Sequence, residues 1–112
     1  MAEPLLTDVF GDAASQTTSN LSVNKADFTT LTPSATNTAE SMAVAILLRW
    51  EQSLTPEAQN SNPDQSLRVE RGTEAVVSVF NADNTVSQFK EFPFTITLRQ
   101  PYVAPTIDPN QF

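Results

Sequence analysis

Residues 66–98 read SLRVERGTEAVVSVFNADNTVSQFKEFPFTITL, and this stretch decides the fold class because it indicates antiparallel β-structure. Its apolar residues alternate with polar ones, or cluster as valines, in short runs bounded by turn residues such as Gly72. Pro93 cannot donate a ladder hydrogen bond, so it marks a strand start, a bulge or an edge. The predicted strands are residues 66–71, 74–80, a run from Val86, and 95–99, with a hairpin-like loop at 81–84. Four or five short antiparallel strands predict a mainly β fold, built as a small sandwich or a partly open barrel.

The preceding segment, 37–54, reads NTAESMAVAILLRWEQSL and supports two interpretations. As a helix over 38–54, it would have Asn37 as N-cap, Glu40 three residues later, and one apolar face. As a strand, its apolar residues alternate from Met42 to Trp50, and its first half would be buried on both faces. Either way, Trp50 is expected to be a core or interface anchor, since one aromatic residue without aromatic neighbours does not form a ligand-binding site.

The ends of the chain differ from the centre in composition. Residues 1–37 are rich in Thr, Ser and Asn, with isolated apolar residues and a weak strand pattern at 23–31. Residues 101–112, PYVAPTIDPNQF, hold three prolines, which exclude an α-helix or a central strand. The chain therefore divides into an extended N-terminal arm (1–37), a β-rich body (38–100) and a Pro-rich C-terminal arm (101–112), with a loop predicted at 55–65.

The arms carry large apolar side chains that an exposed linker would lack. Either the arms are disordered tails, or they order when these side chains enter grooves on neighbouring subunits. A short body without disulfides or metals is marginally stable alone, which favours oligomerisation or docking on a larger partner. The candidate partner-binding side chains are Phe10, Phe28, Tyr102, Ile107 and Phe112.

Composition excludes several classes of function. The 112 residues carry a formal charge of −7 and contain no Cys or His. Zinc, haem, iron–sulfur and Ser-His-Asp chemistry within the chain are therefore excluded. Carboxylate mechanisms, a Ser-Lys pairing and an oxygen-ligated calcium site remain open, but no residue spacing is specific for them. We therefore expect no enzyme activity, no catalytic or metal-binding residues and no cofactor. The six basic residues are scattered, which argues against nucleic acid or an anionic membrane as partners.

The sequence shows no membrane span or secretory signal. Its longest apolar run has seven residues, whereas a membrane-spanning helix needs about 20. The N-terminus does not resemble a secretory signal. A soluble protein is therefore expected.

In its organisation the chain resembles the small head-decoration, or cement, proteins of tailed bacteriophages. The features that carry the resemblance are the chain length, the β-rich stretch 66–98, the Thr/Ser-rich segment 17–38 and the Pro-punctuated tail 101–112. The resemblance implies a structural virion protein on the outside of an icosahedral shell. There it would attach at junctions between capsomers formed by the major capsid protein, commonly as a dimer or trimer, and stabilise the shell.

Two other functions fit the same sequence. One is a β-rich adhesin, pilus or tail-fibre module at a cell surface. The other is a cytosolic protein–protein adaptor whose segment 37–54 forms an amphipathic helix paired with a partner helix.

Overall fold

The computed structural model describes residues 2–102 and 109–111. Within them the fold is mixed, with three α-helices and six strands. The helices are α1 (Leu6–Phe10), α2 (Ala39–Ser53) and α3 (Pro56–Ser61), and the strands are β1 (Ser15–Gln16), β2 (Leu21–Ser22), β3 (Leu67–Arg71), β4 (Ala75–Phe80), β5 (Val86–Glu91) and β6 (Phe94–Leu98). Short 3₁₀ turns occur at Lys25–Asp27 and Pro109–Gln111.

The segment that allowed two interpretations is a helix, α2. Its N-cap is Thr38, whose hydroxyl accepts a hydrogen bond from the Ser41 amide at 3.1 Å. The prediction that Asn37 is the N-cap was wrong, because its side chain is engaged one turn earlier in the chain, accepting from the Ser34 amide and donating to the Thr32 carbonyl.

The prediction of an unbroken loop at 55–65 was also wrong, because α3 lies within it. Thr55 caps this helix by accepting from the Ala58 amide at 3.0 Å, and Pro56 occupies the first turn, where its missing N–H costs nothing. The remainder of the segment is held by two buried glutamines. Gln59 donates to the Gln65 carbonyl, and Gln65 donates to the carbonyls of Thr55 and Leu67.

The four predicted strands are confirmed, and they pair antiparallel, β3 with β6 and β4 with β5. Together they form one long two-stranded ribbon with a bulge in the middle. The prediction of a turn at Gly72 was wrong, because β3 continues into β4 on the same side of the ribbon. The Gly72 amide bonds to the Pro93 carbonyl and Ala75 pairs with Glu91, so Thr73 and Glu74 oppose the single residue Phe92. Pro93 therefore lies beside a bulge, one of the three places predicted for it.

The predicted sandwich or partly open barrel is not present in the described residues. The strands form three two-stranded pairings, the small β1–β2 pair and the two halves of the ribbon, β3–β6 and β4–β5. A sandwich needs two sheets that cover each other, but here helices α2 and α3 pack on the sheets mainly through β3, and β4 and β5 contact mainly each other. The architecture is accordingly mixed rather than mainly β.

The first 37 residues, predicted to be an extended arm, fold back on α2 in this structure. Phe28 is buried, and Arg49 of α2 donates to the carbonyls of Thr7 (2.8 Å) and Asp27 (3.2 Å). The weak strand predicted at 23–31 is replaced by the 3₁₀ turn, because the Asn24 side chain caps it by accepting from the Ala26 amide. The capping hydrogen bond, rather than the short alternating pattern, therefore determines the backbone conformation of this segment.

A small core holds the helical part together, and the ribbon extends away from it. The buried apolar residues are Phe28, Ala45, Leu54 and Val69. The radius of gyration is 20.2 Å, with extents of 70 × 39 × 28 Å, whereas a compact domain of this length has a radius of roughly 13 Å. None of the helices in the described residues has the length and hydropathy needed to cross a membrane.

Candidate protein-interaction surface

The most unusual surface lies on the β4–β5 hairpin, residues 75–91, which we call the ribbon arm. Its side chains alternate between two faces, and both faces expose large apolar groups. Phe80, near the tip, is 83% exposed. The other exposed large apolar side chains of the arm are Val76, Val79, Val86 and Phe89. Apolar surface of this extent on a monomer marks a binding site more often than a solvated face.

The hydrogen-bond pattern shows which backbone groups of the arm are free to bind. At the tip, the Asn81 amide donates to the Thr85 carbonyl at 2.8 Å, which sets the alternation along the antiparallel pair. Facing pairs of an antiparallel ladder alternate between hydrogen-bonded and non-hydrogen-bonded, and the Asn81 pair is hydrogen-bonded. Phe80, Ser78 and Val76 therefore belong to non-hydrogen-bonded pairs, and their amides and carbonyls point away from β5. The outer edge of β4 therefore offers a row of backbone donors and acceptors.

The tip is a tight loop stabilised by Asp83 and Asn84. Asn84 has a φ of 65°, a left-handed conformation that asparagine tolerates better than most residues. The Asp83 carboxylate accepts from the Thr85 hydroxyl (2.6 Å) and amide (3.2 Å), and these two hydrogen bonds lower the pKa of Asp83 below its ordinary value of 3.8. The loop side chains thus form the turn and point to no ligand.

This lowered pKa predicts that the tip loosens only in acid. A carboxyl group with a lower pKa in the folded state stabilises that state above its unfolded pKa, and the contribution is lost as pH falls through the folded value. We expect the Thr85 amide resonance to titrate with a midpoint below 3.8. Asp83→Asn should abolish this titration and leave the other amides of the arm unchanged. A midpoint at or above 3.8 would contradict the assigned hydrogen bonds.

An apolar groove of about 460 Å³ lies where the ribbon meets α2. Arg71 spans its floor, held by two 2.6 Å hydrogen bonds to the Glu51 carboxylate. The Arg71 guanidinium also lies 6.0 Å from the Phe92 ring and 5.3 Å from the Phe94 ring. The groove is lined by Val44, Leu47, Leu48, Arg71, Phe92 and Phe94. Its walls are therefore suited to apolar side chains rather than to a charged ligand.

The groove and the ribbon arm share one continuous face. Lys90 lies 5.5 Å from the Phe92 ring, and it also forms a 2.7 Å ion pair with Glu74, which lowers the pKa of that carboxyl. Side chains two positions apart in a strand lie on the same face, so Val86 shares this face with Phe92, and so does Phe80, which pairs with Val86 at the tip. We call this continuous surface the apolar face.

The predicted partner-binding residues lie elsewhere. Phe10 contacts Trp50 edge to face, with ring centroids 6.2 Å apart, and Phe28 is only 4% exposed within its own chain. Either side chain would have to leave these contacts to enter a neighbouring subunit. Tyr102 is 83% exposed, as a partner-binding side chain would be in the free protein. Ile107 and Phe112 lie outside the described residues.

Trp50, predicted as a core or interface anchor, joins α1 to α2. Its ring contacts Phe10, and its indole N–H donates to the Val9 carbonyl at 3.1 Å. Both of these contacts are with the N-terminal segment.

The interaction surface was missed in the sequence, although a signal was present. The run AVVSVF at 75–80 is uncharged, and Phe92 and Phe94 flank a proline. Such runs are normally interpreted as strands covered by another layer. Here the structure leaves most of the run and Phe92 exposed, while Val77 and Phe94 are half-buried.

The described residues contain no group of three or more His, Cys, Asp or Glu that could hold a metal ion. Comparison of the chain with protein-family models, with curated proteins and with solved structures finds no match.

Proposed function

We propose that this protein is a structural assembly protein that binds copies of itself and a larger protein lattice. The exposed apolar surface of the ribbon arm, on both of its faces, is the observation that carries this proposal. The lattice we propose is the outer surface of a tailed-bacteriophage capsid, with attachment at capsomer junctions and stabilisation of the shell as the result.

The energetics of the arm support a binding role. A two-stranded hairpin alone is marginally stable in water, because it buries little apolar surface. Among the described residues, the β4–β5 hairpin has no third strand and no helix packs extensively on it. A partner that covers the arm would supply the missing apolar burial, at about 25 cal/mol per Å² of surface removed from water.

The shape supports attachment at a junction between subunits. The ribbon from Leu67 to Phe80 has fourteen residues and therefore a reach of roughly 46 Å at the usual rise per residue. The helical part and the arm tip are thus far enough apart to contact two neighbouring subunits of a lattice at the same time.

An adaptor function is the second candidate, and α2 is the observation that favours it. Val44 is exposed on this helix, and Leu47 and Leu48 line the groove beside it. A partner helix could lie along these three residues. The two functions differ in their predicted location, since only the first places the chain in a virion.

The first test is whether the chain is a component of virions. Particles of the phage that encodes it, purified on a density gradient, should contain the chain in a fixed ratio to the major capsid protein by quantitative mass spectrometry. Particles made without the gene should release DNA at a lower temperature. Absence of the chain from purified particles would overturn the capsid proposal and favour the adaptor.

Binding to particles that lack the chain then tests the apolar face. Phe92→Ser should abolish co-sedimentation with such particles, because it removes an aromatic ring from the groove. Leu21→Ser is the matched control, since Leu21 is 50% exposed and Phe92 is 48% exposed. Equal loss of binding in both variants would show that this face is not the lattice contact.

A further inference from the structure

The free edge of β4 lacks the features that normally prevent edge-to-edge pairing. Its residues, AVVSVF, include three valines and carry no charge and no proline. Soluble proteins usually protect an exposed edge with lysine, proline or a bulge within the strand. The β5 edge follows that rule, because Lys90 lies on it, whereas no element other than β5 packs extensively on β4 in the described residues. The unprotected edge is therefore β4.

We propose that β4 pairs antiparallel with β4 of a second copy of this chain, about a two-fold axis that passes midway between Ser78 of each copy. This inference rests on the proposed assembly function and specifies its self-contact. The two hairpins would then form one four-stranded sheet. The outward backbone groups of Val76, Ser78 and Phe80 would make about six hydrogen bonds across the axis, two for each facing pair.

The residues that meet in this register are complementary. Ser78 faces the partner's Ser78, and Val76 faces the partner's Phe80, a pairing of β-branched and aromatic side chains that stabilises sheets. On the opposite face, Val77 meets the partner's Val79. No charged residue faces another across the axis, so two copies of β4 can pair in this register without charge repulsion between facing side chains.

The charge distribution also favours a second copy. Of the formal charge of −7, the ribbon arm carries only −1, from Asp83 and Glu91 against Lys90. Two arms can therefore approach each other with little repulsion, while the acidic remainder of each chain stays apart. A strongly basic partner would find few acidic groups on this edge, which makes a second copy the better match.

The decisive experiment compares two lysine variants of the purified full chain by sedimentation equilibrium. Ser78→Lys places two ammonium groups opposite each other on the axis and should weaken dimerisation by about 10- to 100-fold. Gln88→Lys is the matched control, because Gln88 lies directly across the hairpin from Ser78 and is also exposed. It adds the same charge to the β5 edge and should leave dimerisation unchanged.

A crosslinking variant tests the register even if the lysine variant loses stability. The chain contains no cysteine, so Ser78→Cys introduces a single thiol. Facing residues of an antiparallel hydrogen-bonded pair lie about 5.5 Å apart between Cα atoms, which is within disulfide range. Mild oxidation should convert Ser78→Cys to a covalent dimer within minutes, whereas Gln88→Cys should remain largely monomeric on a denaturing gel.

The outcomes separate this inference from the proposed function. A wild-type chain that remains monomeric at 100 µM, or equal crosslinking of both cysteine variants, would overturn β4 pairing and leave the virion test unaffected. A dimer sensitive to Ser78→Lys but absent from virions would support β4 pairing and overturn the capsid proposal. Loss of the dimer in Gln88→Lys alone would assign the contact to β5 and refute the inference.

Discussion

Leu54→Ala should destabilise the protein by about 2–5 kcal/mol, the usual cost of removing a buried leucine side chain. Leu54 is 2% exposed and lies where the helices meet the sheet. Its carbonyl accepts a hydrogen bond from the Val69 amide at 2.9 Å, which ties the end of α2 to β3. Because the core is small, few neighbours can move in to fill the cavity. The expected result is a large drop in the urea midpoint of unfolding, measured by circular dichroism.

Leu98→Ala is the control for this loss. The chemical change is the same, but Leu98 is 79% exposed at the end of β6, so its truncation should change the free energy of unfolding by no more than about 0.5 kcal/mol. Comparable destabilisation in the two variants would mean that the helix–sheet junction is not the core. If Leu98→Ala instead weakens self-association, Leu98 contacts a partner.

Trp50→Ala should cost about 3 kcal/mol, at the lower end of the range for a tryptophan because the residue is half-buried. The loss combines the edge-to-face contact with Phe10 and the hydrogen bond to the Val9 carbonyl. Without them, α1 should detach from α2 and residues 1–37 should become sensitive to protease. Limited proteolysis read by mass spectrometry would detect this cleavage while the β-ribbon remains intact.

Trp50→Phe separates the two contributions. Phenylalanine keeps an aromatic ring against Phe10 but cannot donate to Val9, so about 1 kcal/mol should be lost. A loss below about 1 kcal/mol for Trp50→Ala itself would place the indole on the surface instead. Protection of the N-terminus in Trp50→Ala would show that other contacts, such as those of Arg49, suffice to hold α1.

The proposed self-contact and the proposed lattice contact use different surfaces of the arm. Pairing of two β4 edges forms hydrogen bonds between the outward-pointing backbone groups of the two strands. The groove end of the apolar face, at Phe92, takes no part in this pairing and remains available in such a dimer. A two-fold unit would present two such faces, which multiplies its affinity for a repetitive lattice.

The strands of 66–98 could be predicted because their signals are local. Alternation and β-branched residues act within a few positions, and the structure has strands at these places. The pairing of β3 with β6, which encloses the β4–β5 hairpin, does not follow from the sequence. A turn at Gly72 would have folded β4 back on β3, whereas Gly72 bonds to Pro93 and β3 continues into β4. The absence of a covering layer could not be predicted, because the sequence of an uncharged strand does not show whether it packs against another segment of its own chain or against a partner protein.

Segment 37–54 shows why local signals sometimes remain undecided. Its apolar residues fit both periods, and the choice was made by the Thr38 cap together with packing of α2 on α1 and β3. Phe10 and Phe28 were assigned to partner grooves because isolated apolar residues in a polar segment have no visible neighbour in sequence. Their contacts are distant along the chain, with Phe10 meeting Trp50 forty positions later.

The strand positions, the acidic charge and the lack of His and Cys could be established from the amino-acid sequence, because these depend on residue type and near neighbours alone. Tertiary structure decided that Phe28 and Leu54 are buried while Val76 and Phe80 are exposed. Burial depends on which distant segments meet, and in the described residues the helices pack against the base of the ribbon at β3 and not against the arm. The exposed edge and face of that arm are where we expect the partners of this protein to bind.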